Sequence, residues 1–271
     1  MSETTPVMDV LGQAESGTAQ VIAVLTDEQM VAAAGPSATQ PTVFPWYDEQ
    51  PDPEALVATA TRSLVANGLV VPMDDGSVKV APEVESLLAV RRGTPVLLLV
   101  ERETSASKRW SYSYLYDSAV LEEQVSADGF HTFVLLPTTD LGAQLVGLLD
   151  PLETAGESRE LGRFATMDDF EAGAAEIPIL TEAVSVSTLT LIDGQADLAR
   201  VCVVYDSPNG AAIMEGGPTP EAPDLPYLLN QASRDDLIVL VYRLIGDAAL
   251  PAVSVGFADP SATSVVSDPI M

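Results

Sequence analysis

The chain has 271 residues, 47% of them hydrophobic, and its 40 acidic and 12 basic residues give a formal net charge of −28. This length and apolar content suffice to bury a sizeable core and exclude a wholly disordered chain. The negative charge opposes binding to DNA, RNA or anionic lipid, because contacts with phosphate depend on Lys and Arg. The acidity either keeps the protein soluble or attracts a basic partner, and the composition leaves both explanations open.

The N-terminal region predicts a polar segment followed by a strand and a helix. Residues 1–19 are small, polar and acidic, so we expect them to be poorly ordered. They have no basic region or long apolar core, so no signal peptide is predicted, and no apolar run of the chain reaches the roughly 20 residues of a membrane span. A cytoplasmic protein is therefore expected. Residues 21–25 have the composition of a strand, and Thr26 followed by Asp27 and Glu28 indicates a helix start.

Residues 53–103 predict a helix, a hairpin, a second helix and a strand. Asp52 and Pro53 favour a helix start, and an apolar stripe at helical spacing continues to a stop at Gly68. A turn at residues 74–76 joins two short β-branched segments, which together indicate a hairpin. Pro82 begins the second helix, and the following apolar run has the length of a buried strand.

Alternating aromatic residues mark the next strand, RWSYSYLY at 109–116. Its Trp and Tyr side chains would share one face, and packing within a sheet explains them better than base stacking, because the net charge opposes nucleic acid. Further strands are predicted at 119–125 and 130–136. The sequence PTTD at 137–140 is then expected to cap a helix whose leucines recur at helical spacing.

The second half of the chain repeats this order of elements after a polar segment. Residues 152–180 are acidic and rich in small residues, and we interpret them as a connector with a short helix near 167–175. Strands are predicted at 184–192, 199–205 and 211–214, and a capping box at Ser233 and Asp236 begins an amphipathic helix. Each half is therefore predicted to contain three strands followed by a helix, which is a repeat of element order rather than of sequence.

The sequence predicts an α+β fold with a largely antiparallel central sheet, flanking helices and two quasi-symmetric halves. We expect one folded domain made of a first half at 20–151, an acidic connector at 152–180 and a second half at 181–250. A flexible N-terminus at 1–19 and a flexible C-terminal tail at 251–271 complete the expected organisation.

The basic residues are unevenly spread along the chain. Six of the 12 fall within one short window and are Lys79, Arg91, Arg92, Arg102, Lys108 and Arg109. On an acidic protein, this window is interpreted as a salt-bridged patch in preference to a local contact surface.

No residue pattern identifies a catalytic, cofactor or metal site. The single cysteine, Cys202, lies in an apolar run typical of a strand, which predicts a buried hydrophobe and excludes an intramolecular disulfide and a CxxC metal site. His131 is the only histidine and has no second His or Cys nearby, so we expect an ordinary surface residue. Acidic pairs at 74–75, 168–169 and 235–236 are each explained by a turn or by the first turn of a helix. We therefore expect no enzyme activity and no cofactor.

The order of these motifs resembles that of the EspG family, the cytosolic chaperones of actinobacterial type VII (ESX) secretion. The features that carry the resemblance are LTDE at 25–28, a Pro-containing loop, SLVANGL at 63–69, residues 78–88 before the strand at 96, and VLLP at 134–137 leading into QLVGLLD at 144–150. The similarity spans roughly residues 20–250. It implies a mixed α/β fold in two quasi-symmetric halves, no catalytic site, and binding to the helical tip of a secretion substrate. Residues 159–178 match no substrate-contacting loop, so no binding residue is carried over.

The function implied by the resemblance is a non-enzymatic protein-binding module that masks an apolar surface of a helical client. Its partner would be a protein, with no nucleic acid and no membrane. One alternative is a regulator containing a winged helix, because the helix and hairpin around Gly68 are similar to a wing, but only Arg62 is basic on that helix. The other alternative is an enzyme whose catalytic carboxylates the sequence does not identify. The client, the binding residues and any self-association stay open at this point.

Overall fold

Most strands of the protein form one large sheet. The computed structural model describes residues 11, 14, 19–34, 51–73, 78–194, 198–217, 224–246, 248, 250 and 251. Within these ranges the strands form a ten-stranded antiparallel sheet and a separate two-stranded hairpin, flanked by seven helices. The predicted α+β class with an antiparallel central sheet is confirmed. The expected termini at 1–19 and 251–271 and the turn at 74–76 fall almost entirely outside the described residues.

The first half of the chain contributes five strands to the large sheet. Its elements are β1 (Gln20–Thr26), α1 (Asp27–Ala34), α2 (Pro53–Ala66), β2 (Val70–Pro72), β3 (Val78–Val80), α3 (Pro82–Gly93), β4 (Val96–Thr104), β5 (Lys108–Leu115), β6 (Ala119–Val125), β7 (Phe130–Pro137) and α4 (Leu141–Leu149). Strands β2 and β3 form the separate hairpin, as the sequence predicts.

The second half also contributes five strands. Its elements are β8 (Arg159–Phe164), α5 (Met167–Ala174), α6 (Pro178–Thr181), β9 (Ser185–Asp193), β10 (Leu198–Ser207), β11 (Gly210–Gly216), β12 (Tyr227–Ala232) and α7 (Arg234–Ile245). The helix predicted near 167–175 is confirmed as α5. The residues interpreted as a connector also hold β8, an edge strand that pairs with β12. Its sequence, RELGRF, has three charged residues and lacks the apolar run by which buried strands are identified.

The two halves have the same strand order. The first is ordered β1-β7-β6-β5-β4, and the second, counted from the opposite edge, is ordered β8-β12-β11-β10-β9. At the centre β4 pairs antiparallel with β9, so an approximate two-fold axis relates the halves. The registers make β6 equivalent to β11 and place Glu122 and Ile213 at the same position. The predicted quasi-symmetric halves are confirmed, but with five strands each instead of three, because the predicted repeat leaves out β1 and β4 in the first half and β8 and β12 in the second.

Helices cover both faces of the sheet. On the face covered by α4 and α7 (the α4/α7 face), Leu145 and Val241 pack on strands of both halves. On the opposite face, the first half buries its aromatic row, including Tyr112, against α2 and α3. The second half buries a smaller cluster around Phe170 and Met214 there. The prediction that the aromatic row packs on one face of the sheet is confirmed.

Local hydrogen bonds confirm the predicted starts of three helices. Asp52 accepts a hydrogen bond from the backbone of the first turn of α2 at 3.1 Å. Thr26 accepts one from the backbone N–H of Gln29 at 3.3 Å, at the start of α1. Ser233 and Asp236 form the predicted capping box of α7. Such caps satisfy backbone N–H groups that have no partner within the helix.

The backbone groups at the start of α4 form different hydrogen bonds from those predicted. Asp140 makes no side-chain cap, so the expectation for PTTD at 137–140 is wrong. Instead, the hydroxyl of Tyr242 on α7 accepts a hydrogen bond from the Gly142 N–H at 3.2 Å and donates one to the carbonyl of Thr139. A Cβ atom on Gly142 would lie 2.8 Å from the Tyr242 ring and 3.0 Å from Ile238 Cγ2. The close contact of the two helices therefore requires glycine at this position.

Candidate protein-binding surface

Two grooves flank the pair of helices on the α4/α7 face. The groove beside α4 (the α4 groove) has a volume of about 450 Å³ and is lined by strands β4–β7 and by α4. The groove beside α7 (the α7 groove) has a volume of about 320 Å³ and is lined by β8, β11, β12 and α7. The two linings share three equivalent positions, which are Glu122 and Ile213, Gln124 and Glu215, and Gly147 and Arg243.

A buried carboxylate forms part of the floor of the α4 groove. Glu122 is 1% exposed and accepts a hydrogen bond from the Ser111 hydroxyl at 2.7 Å. The side-chain amides of Gln124 and Gln144 donate to its other oxygen at 3.1 and 3.0 Å. These neutral donors satisfy both carboxylate oxygens, and no ion pair within the described ranges includes Glu122. The α7 groove has Ile213 at this position, so the buried carboxylate at this position exists on one side only.

Two arginines face each other at the open end of the α4 groove. Arg102 on β4 and Arg109 on β5 are direct cross-strand partners, and both line the groove. The part of the chain that the structure describes offers neither of them a hydrogen bond or an ion pair, and Arg102 Nε is buried without a partner. Burial lowers the pKa of Arg102, the nearby Asp206 raises it, and Arg109 lowers it. The predicted salt-bridged patch is therefore absent at these two residues.

Exposed apolar side chains continue from the groove to the edge of the sheet. Phe130 lines the groove and is 49% exposed. Val24 of the edge strand β1 lies opposite Thr132, another lining residue, and is 52% exposed. Val21 lies opposite Val134 on the same face and is 64% exposed. This strip of Val21, Val24 and Phe130 (the apolar strip) beside polar groove residues has the composition of a protein-binding surface.

A buried ionic network lies on the opposite face of the first half. Glu123 of β6 is fully buried and accepts hydrogen bonds from Arg91 Nε at 2.8 Å and from the Tyr114 hydroxyl at 2.6 Å. Its other oxygen lies 2.6 Å from His131 Nδ1, and His131 Nε2 lies 2.8 Å from a carboxylate oxygen of Asp27. The network thus connects α1 and α3 to three adjacent strands.

The network keeps its charges across the neutral pH range. Burial alone would raise the pKa of Glu123, but the hydrogen bond from His131 and the charge of Arg91 lower it to about 2. Burial alone would lower the pKa of His131, but its bonds to Asp27 and Glu123 raise it to about 9. Two cations and two anions are therefore held together, which indicates a structural role rather than acid–base catalysis.

The expectation that His131 lies at the surface is wrong. The residue is 2% exposed, because both ring nitrogens are bonded to carboxylates, one of them on α1, far away in the sequence. A local signal was available, since His131 alternates in phase with Phe133 and Leu135, which are both buried. Sequence reasoning also missed the role of Glu123, because its partners come from other strands and from α3.

The described residues contain few groups with reactive character. Burial raises the pKa of Cys202 to about 12, and the prediction of a buried hydrophobe is confirmed. The acidic pairs at 168–169 and 235–236 belong to the first turns of α5 and α7, as predicted, whereas 74–75 lies outside the described residues. Burial, followed by the charge of Asp150, raises the pKa of Asp206 to about 6. Among the described residues, no cluster of His, Cys, Asp and Glu is placed to hold a metal ion.

Two further features bear on partners. In the ranges described, no helix combines the length and the apolar composition needed to cross a membrane. Arg62, the only basic residue of α2, is engaged within its own helix, where it donates to the Thr59 hydroxyl at 2.9 Å.

Comparison with known proteins gives a relationship at the level of fold. No protein-family model matches the chain, and no curated protein matches its sequence. The fold is similar to a solved structure of the Mycobacterium tuberculosis type VII secretion system chaperone EspG5 in complex with the PE25–PPE41 dimer. The TM-score is 0.50 at 10% sequence identity, over 86% of this chain and 97% of that chain. The chain thus shares the fold of an EspG chaperone.

Proposed function

We propose that this protein is a non-enzymatic chaperone that binds a protein client for type VII secretion. The observation that carries the proposal is the fold shared with EspG5 over 97% of that chain. EspG5 was solved bound to the PE25–PPE41 dimer, so a protein client is the kind of partner that the fold accommodates. The formal charge of −28 supports a protein partner over nucleic acid or an anionic membrane. We expect the complex to form in the cytoplasm.

We assign client binding to the α4 groove and the apolar strip. Phe130 and Val24 would be covered by an apolar helical tip, whose burial is favourable by roughly 25 cal/mol per Å². A groove of about 450 Å³ takes a few side chains rather than a whole helix. The remaining contact area, about 800 Å² on each partner for a stable complex, would come from the sheet edge at β1.

Capture from the host lysate tests this function. The tagged protein would be compared with Phe130→Asp, which places a charge on the proposed surface, and with Val239→Asp, a matched change at a 58% exposed position in the α7 groove. We expect the unmodified protein and Val239→Asp to recover a helical secretion substrate, and Phe130→Asp to lose it. Failure to recover any secretion substrate would contradict the chaperone role, and equal recovery by both variants would contradict the assigned surface.

A further inference from the structure

We propose that the pair formed by Arg102 and Arg109 binds a carboxylate of the client. The client segment in the α4 groove would carry Asp or Glu next to an apolar residue that contacts Phe130. This inference rests on the proposed function and specifies the chemistry of the partner at that surface.

The position of the two arginines is unfavourable unless an anion joins them. Arg102 and Arg109 are directly opposite on β4 and β5, and like charges at such positions destabilise a sheet. The chain has 40 acidic residues, yet none within the described ranges forms an ion pair with either arginine. Asp206 is near enough to affect the pKa of Arg102, but the two side chains form no ion pair.

The adjacent lysine is neutralised by the protein itself. Lys108 on β5 lies 3.2 Å from a carboxylate oxygen of Glu101 and 2.9 Å from one of Glu103, both on β4. These are the same two strands that hold the arginine pair, with the side chains on the opposite face of the sheet. The cation on one face of these strands therefore forms ion pairs within the described residues, whereas the two on the other face form none.

The second half satisfies the equivalent arginine internally. The strand registers place Arg200 at the position of Arg109, and Arg200 donates to the Leu244 carbonyl at the end of α7 at 2.8 Å. In the α7 groove, Arg243 pairs with Glu215. The equivalent positions in the α4 groove are Gly147 and Gln124, which leave the space open and provide no carboxylate.

The chemistry of the site favours a carboxylate on a protein. A guanidinium binds a carboxylate through two parallel N–H···O bonds. Phe130 and Leu148 line the same groove and supply apolar contact beside the charge. A nucleic acid would bring many phosphates toward a molecule with a charge of −28, whereas a single acidic side chain brings one charge to two arginines.

Selection from a displayed random dodecapeptide library on the immobilised full-length protein tests this inference. We expect selected peptides to combine Asp or Glu with apolar residues, and the double variant Arg102→Gln/Arg109→Gln to bind synthetic copies at least about tenfold more weakly. The matched control is Lys79→Gln/Arg92→Gln, which removes the same charge at two exposed positions elsewhere and should bind as the unmodified protein does. Far-ultraviolet circular dichroism and thermal unfolding would verify that both variants fold.

The outcomes separate this inference from the proposed function. Peptides without acidic residues, equal binding by the arginine variant, or no selected peptide at all would overturn the carboxylate site. If the arginine variant captures a secretion substrate from the lysate as well as the unmodified protein does, the chaperone role stands and the carboxylate site is overturned. If selected peptides depend on the arginines but no secretion substrate is captured, the carboxylate site stands and the chaperone role falls.

Discussion

The two halves of the molecule share a strand order but use different chemistry at equivalent positions. In the first half, β6 carries the buried carboxylates Glu122 and Glu123, one facing each side of the sheet. In the second half, β11 carries Ile213 and Met214 at those positions, both within apolar clusters. A five-stranded half of this kind therefore folds with an apolar middle strand, and the charges of the first half are an addition that the topology does not require.

The additional charges have two separate consequences. On one face, Glu123 is surrounded by cations and ties α1 and α3 to the sheet. On the other face, Glu122 orders the amides that line the α4 groove, next to two arginines that form no ion pair among the described residues. Polar groups in the first half thus stabilise the sheet and also shape the surface that we assign to the client.

The substitution Glu123→Met copies the second-half residue into the first half and has the largest expected effect. It would leave Arg91 and His131 as buried cations without their shared anion, which costs about 3–5 kcal/mol. The control, Met214→Leu at the equivalent position, changes only apolar shape and should cost less than about 1.5 kcal/mol. Urea unfolding measures both changes. A loss below about 1 kcal/mol for Glu123→Met would show that the network does not stabilise the first half.

The pH dependence of stability should also report on the network. The pKa of His131 is raised from 6.5 to about 9, so its contribution is complete below pH 6.5 and is lost as the pH rises through 9. The total loss is on the order of 3 kcal/mol. The pKa of Asp206 is also raised, from 3.8 to about 6. Its contribution to stability is therefore complete below pH 3.8 and is lost as the pH rises through 6.

Denaturant unfolding between pH 5 and 10 measures this dependence. The unmodified protein should lose free energy of unfolding as the pH rises from 6.5 to 9, and His131→Gln should lack this decline. Both proteins should show the decline that Asp206 produces as the pH rises from 5 to 6. An equal alkaline decline in the two proteins would assign it to a group outside the network.

Most features that depend on residues near in sequence were predictable, and those that depend on distant contacts were not. The caps at Thr26, Asp52 and Ser233 lie within three residues of their partners, and all three were predicted. The edge strand β8 and the buried His131 depend on partners tens of residues away, and both were missed. The general fold followed from strand and helix patterns because each carries its own periodicity.

The candidate site was less predictable than the fold. The sequence does show a cluster of basic residues, but only the strand register reveals that Arg102 and Arg109 are opposite each other while Lys108 faces two glutamates. The same register is needed to see that Arg200 occupies the equivalent position and is satisfied by α7. Charge counts along the chain cannot separate a satisfied cation from one that lacks a partner.

A substitution at the contact between the halves has the smallest expected effect on stability, and a second glycine on the same helix provides the control. The halves are asymmetric at the contact of α4 and α7, where Gly142 and Ile238 occupy equivalent positions and touch each other. In Gly142→Ala, the new methyl group would be 2.8 Å from the Tyr242 ring, so the ring or the helices must shift, at a cost of about 1–3 kcal/mol. Gly147→Ala lies on the same helix with nothing within 4 Å of its Cβ, and should stabilise the protein by up to about 1 kcal/mol through helix propensity. Thermal and urea unfolding compare the two variants directly, and an equal effect of both would show that the halves do not depend on close helix contact.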